Sequence, residues 1–115
     1  MARDKDTQNT TTILDSTNPL YMPPSKSVGT VLVPMAFDGT GYRSWRRGVL
    51  RALSVKNKVG CIIRKGKKPN AGEAIYDQWA RCDDMVTSWI LNSLSKDLTD
   101  SLQYVNNAKE LWQEL

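Results

Sequence analysis

Residues Tyr42–Lys58 read YRSWRRGVLRALSVKNK, and the winding of this stretch decides the fold. It carries six basic residues, no acid and one tryptophan. Wound as an α-helix, at about 100° per residue, it places Tyr42, Trp45, Val49, Ala52 and Leu53 on one face. Arg43, Arg47 and Arg51 recur every fourth residue and form a stripe on the other side. A surface that stacks bases displays its aromatics among its cations, and here the periodicity separates them. Trp45 is therefore expected in a core. Two readings of the stripe stand: a solvated face, or one that contacts phosphate or an acidic protein. Gly48, beside the apolar face, costs about 1 kcal/mol of helix propensity, and its lack of a side chain suits close approach by another helix.

Upstream, FDGTGY (Phe37–Tyr42) has the composition of a turn, with Asp38-Gly39 and Gly41 supplying a permissive backbone. TVLVP (Thr30–Pro34) is a short β-branched run stopped by proline, with no evident partner strand, so no sheet is expected. Residues 1–28 read as a flexible or extended arm. Pro23 and Pro24 forbid a regular helix there, and Leu20, Tyr21 and Met22 form an apolar knot suited to docking. Residues 29–115 then make one helical domain.

Downstream, KNKVG (Lys56–Gly60) is expected to end the first helix at Gly60, and Cys61–Ile63 to form a short buried anchor. RKGKKPNAGE (Arg64–Glu73) reads as a basic loop without the glycine spacing of a phosphate-binding loop. The longest helix is expected over Glu73–Leu94, with Ile75, Trp79, Cys82, Val86, Trp89 and Ile90 on one face and Asp77, Arg81, Asp84 and Ser88 on the other. Asp83 and Asp84 point about 100° apart on a helix, so they do not converge on one ion, and both are expected in solvent. A further helix over Lys96–Tyr104 has Ser95 as N-cap. In NNAKELWQEL, Asn107 and Glu110 have capping-box spacing, with Leu111, Trp112 and Leu115 facing inward. The chain stops inside this last helix, leaving its carbonyls uncapped, and a C-terminally truncated domain is expected. An isolated domain of this size buries a modest core, so a marginal monomer is expected unless a partner covers the face beside Trp112.

The chain has 115 residues, 24% charged and 40% apolar, with net charge +4. Ten Lys/Arg and no acid lie between Arg43 and Lys68, whereas Glu73–Leu115 holds three basic and eight acidic residues. Such electrical asymmetry suits head-to-tail attraction between copies, and equally attraction to phosphate. The chain has no histidine and two cysteines, Cys61 and Cys82. Histidine-based triads and zinc knuckles are thereby excluded, and each cysteine reads as a small buried apolar side chain. The sequence contains neither a secretory signal nor a membrane span, and a cytoplasmic location is expected, the nucleus remaining open.

Several motifs in order, NPLY (Asn18–Tyr21), DGTGYRSWRRGVLRAL (Asp38–Leu53), KNKVG, WARCDDMVTSWILNSLS (Trp79–Ser95) and AKELW (Ala108–Trp112), resemble the N-terminal Gag-like region of plant copia-type LTR retrotransposons. The resemblance runs from about Leu14 to Leu115. It implies an all-α bundle related to retroviral capsid lobes and a structural, non-enzymatic role in particle assembly. Carried over, Trp45, Leu53, Trp79, Val86, Trp89 and Trp112 match core positions and Tyr42 closes the turn. Two departures stand out. IIRKG (Ile62–Gly66) replaces an acidic turn, and Pro24 stands where a histidine often precedes the proline-serine pair. The expectation is a self-associating module without catalytic residues, cofactor, metal, membrane contact or small-molecule substrate. The alternatives are weak phosphate contact with RNA through Arg43, Arg47, Arg51, Arg64, Lys65, Lys67 and Lys68, or a non-functional element remnant.

Overall fold

A computed structural model describes residues 18–21, 31–63 and 68–115. Among them are five helices and no named strand: α1 (Tyr42–Val55), α2 (Gly60–Ile63), α3 (Tyr76–Leu91), α4 (Lys96–Leu102) and α5 (Ala108–Glu114). The protein is all-α, as its periodicity predicts. The expected boundary between arm and domain, and Pro23 and Pro24, lie outside the described residues.

The first helix starts where the turn chemistry says it should. The Asp38 carboxylate accepts hydrogen bonds from the Thr40 N–H at 3.1 Å and the Thr40 hydroxyl at 2.8 Å. Both bonds favour its charged form and hold its pKa below the usual carboxylate value. Gly41, at φ 68°, makes the left-handed step into the helix. The other end differs from expectation. Asn57, at φ 59°, terminates α1. The Asn57 N–H donates to the Ser54 carbonyl at 3.0 Å and the Lys58 N–H to the Leu53 carbonyl at 2.8 Å, the paired bonds of a Schellman turn. Gly60 instead opens α2, because asparagine three residues earlier has already taken up the left-handed position.

α3 is shorter than its apolar period suggests. Residues 71–75 form turns, and the chain leaves the helix after Leu91 to deliver one carbonyl to the centre of the fold. That carbonyl is Ser93 O. It accepts the Phe37 N–H at 2.9 Å and the Trp45 indole N–H at 2.9 Å, while the Ser95 N–H returns to the Phe37 carbonyl at 2.8 Å. The single parallel bridge Phe37–Leu94 is all the β-pairing the TVLVP–Phe37 region makes among the described residues. Leu32 and Val33 nonetheless enter the core as irregular chain. Val33 also explains Gly48: a Cβ at Gly48 would lie 2.9 Å from a Val33 methyl. The close approach is made by this irregular segment, not by a second helix.

The α4 and α5 caps match their sequence signals. The Ser95 hydroxyl accepts the Leu98 N–H at 3.4 Å, and the Asn107 side chain accepts the Glu110 N–H at 2.9 Å. At the end of α3 the Leu91 carbonyl accepts both the Leu94 N–H at 3.1 Å and the Thr99 hydroxyl at 2.9 Å. α5 packs on α2 and α3. One core results, built on Trp45, Val49, Leu53, Ile62, Val86, Trp89, Ile90, Leu94, Ala108 and Leu111. Within the 18–21 segment, the Pro19 and Leu20 carbonyls accept hydrogen bonds from α3, from the Cys82 thiol at 3.6 Å and from the Gln78 amide at 2.7 Å. Leu20, in the described part of the expected apolar knot, thus docks by its backbone, and Met22 lies outside the described residues. Among the described residues no helix is long and apolar enough to cross a membrane.

Candidate functional site

The two sides of α1 define the region where chemistry can occur. Inward, Trp45, Val49 and Leu53 are buried, Leu53 completely. Outward, Arg43, Arg46, Arg47, Leu50, Arg51 and Ser54 follow one another at helical spacing. With Val59 they line an open groove of about 600 Å³. All four guanidinium side chains are exposed, and no carboxylate stands among the described residues that line the groove. Its floor is apolar, from Leu50 and Val59, and its walls are cationic.

The residues expected to contact nucleic acid divide between places. Arg43, Arg47 and Arg51 come together in the groove. Arg64, Lys65 and Lys67 lie outside the described residues. Lys68 sits elsewhere, its ammonium 5.4 Å from the centroid of the Trp79 ring. Sequence reasoning missed Arg46. Its guanidinium lies 5.3 Å from the Trp112 ring centroid, within cation–π range, and it also lines the groove. The signal was available: Arg46 stands three residues after Arg43, on the same helical face.

The residues expected in the core also divide. Trp45, Leu53, Val86 and Trp89 are buried. Trp79 and Trp112 are half-buried, and Tyr42 is 36% exposed. Tyr42 lies at the rim, edge-on to Phe37 at 5.7 Å between ring centroids. Trp45 joins the inner and outer sets: its ring stacks on Phe37 at 5.1 Å and approaches Trp112 at 5.8 Å. Cations lie over three of the indole rings: Lys56 stands 5.3 Å from the Trp89 ring centroid, as Arg46 and Lys68 stand over Trp112 and Trp79. Beside Trp112, the Arg46 guanidinium and the Trp45 ring lie against an indole that stays half-buried.

Two further groups depart from the sequence expectation. Asp83 is buried at 4% exposure, not solvated. Its carboxylate accepts the buried Ala108 N–H at 3.2 and 3.4 Å, capping an N–H that the first turn of α5 cannot satisfy. Asp84, its neighbour, is exposed as expected. The cysteines, read singly from the sequence, meet. The Cys61 thiol bonds to the Cys82 sulfur, which with burial pushes the Cys61 pKa up strongly. The same bond, helped by the buried Lys58 ammonium, pulls the Cys82 pKa down against the effect of burial. Both thiols are free. Among the described residues no cluster of three or more metal-ligating side chains occurs.

Against known proteins, residues 23–70 match the family model described as Gag-polypeptide of LTR copia-type. The matched stretch includes α1, α2 and every residue lining the arginine groove. No curated protein and no solved structure matches the chain. Over residues 23–70, then, this chain is similar to the copia-type Gag polypeptides, and the described part of that stretch carries the helices α1 and α2.

Proposed function

We propose that this module is a non-enzymatic assembly unit that associates with copies of itself, as a piece of a particle-forming Gag polypeptide. The copia-type Gag match supports the structural role. The observation that carries self-association is the separation of exposed charge. α1 presents four exposed arginines and no acid, whereas Glu73, Asp77, Asp84, Asp97, Asp100, Glu110 and Glu114 are exposed from the basic loop onward. Opposite patches on one molecule attract a second copy and fix its orientation. The all-α bundle, with Trp45 and Trp89 buried and the α1 arginines outside, is the kind of body that repeats in an assembly, and we read it as related to capsid lobes.

Light scattering against protein concentration tests this reading. Apparent mass should rise with concentration in low salt and fall back toward the monomer in high salt, where exposed charges are screened. A mass that stays monomeric across the concentration range in low salt would sink it.

A further inference from the structure

We propose that the arginine groove of α1 is a binding site for a compact oligophosphate anion. The first reason is that α1 is arranged against its own stability. Arg43, Arg46 and Arg47 occupy its N-terminal half, where the helix dipole disfavours cations, and the first turn contains no acid. Arg43–Arg47 and Arg47–Arg51 are like-charged pairs one turn apart, which repel. Arg46 gains a contact with Trp112, but the exposed Arg43, Arg47 and Arg51 oppose folding without an evident gain in packing, and such local conflict marks a functional surface. An anion in the groove would relieve both conflicts at once.

The second reason is shape. Four arginine side chains line an open groove of about 600 Å³ together with the apolar Leu50 and Val59. That volume is in the range of small-ligand sites, roughly 300–1,000 Å³. Guanidinium forks pair with phosphate oxygens in two parallel bonds. A single-stranded nucleic acid would want aromatic platforms among the cations. The described lining offers none: Trp45 is buried, and Trp112 lies under Arg46. The chemistry therefore favours phosphate oxygens packed close together over a strand of bases. The site stands independently of self-association.

The test is titration of the full chain with sodium tripolyphosphate at low ionic strength, followed by calorimetry and by thermal melting. Saturable one-to-one binding and a raised melting temperature are expected. Arg47→Gln and Arg51→Gln should each weaken binding on the order of tenfold, while raising the melting temperature of the ligand-free chain. Arg81→Gln, on α3 and outside the groove, should bind as the parent does. A parallel arm uses a single-stranded oligouridylate at equal phosphate concentration, expected to bind no tighter. The proposal is overturned by absence of saturable binding, by equal losses in Arg81→Gln and Arg47→Gln, or by arginine variants that bind unchanged. Tighter binding of the oligouridylate overturns it too, since the groove would then be a nucleic-acid track.

Discussion

α1 and α3 both bury a tryptophan in the same core, yet they treat charge in opposite ways. α1 sends every arginine outward and leaves its buried side wholly apolar. α3 brings a carboxylate inside, Asp83, and uses it to hold the first N–H of α5. The difference shows what periodicity can and cannot report. A helix whose charges all meet solvent is decoded by its own spacing. A buried charge is explained only by its partner, here 25 residues away in sequence.

Core truncation should give the largest effect and the clearest contrast within α1. Leu53→Ala should cost about 2–5 kcal/mol in urea unfolding, because Leu53 is fully buried. Val55→Ala, two residues on and 88% exposed, should stay within about 0.5 kcal/mol. Equal losses would erase the distinction between the two faces of α1.

Next comes the charge that α3 internalises. Asp83→Ala strands the buried Ala108 N–H and should cost about 1–3 kcal/mol, with loss of α5 protection in hydrogen exchange. Asp84→Ala should cost about 0.5 kcal/mol or less. If the adjacent pair behaved alike, the cap from α3 to α5 would carry no weight.

Gly48→Ala sets propensity against packing. The helix gains about 1 kcal/mol, but the new methyl meets the stiff Val33 side chain at 2.9 Å. Overpacking of about 1–3 kcal/mol should outweigh the gain, so a lower melting temperature is expected. Arg47→Gln should have the smallest effect and the opposite sign. It removes two like-charge neighbours and should stabilise the ligand-free chain by roughly 0.4–1 kcal/mol, an effect that shrinks as salt is added.

Much of this architecture is legible in the sequence. The start of α1 followed from DGTG, the caps of α4 and α5 from Ser95 and Asn107, and the depth of Trp45 from its separation from the arginines. What escaped the sequence was tertiary. Asn57 ends α1 because its Schellman bonds form there, and propensity alone favoured Gly60. Trp79 and Trp112 lie at the margin of the core and reach only half burial, with Lys68 and Arg46 over their rings, contacts that cross between segments. The approach of Cys61 in α2 to Cys82 in α3 is likewise a contact between separate segments. In the groove, three of the four arginines were marked by their spacing as a stripe. Arg46 stands outside that fourfold repeat and enters the groove from the neighbouring threefold position.

Native-state hydrogen exchange of the Trp45 indole N–H tests the account most directly. That proton is donated to the Ser93 carbonyl at 2.9 Å, where the α1 core face, the irregular segment at Phe37 and the end of α3 meet. It should exchange only through cooperative unfolding, with a urea dependence equal to that of global unfolding. Exchange at the rate of a free indole under native conditions would contradict a helical cluster closed around Trp45.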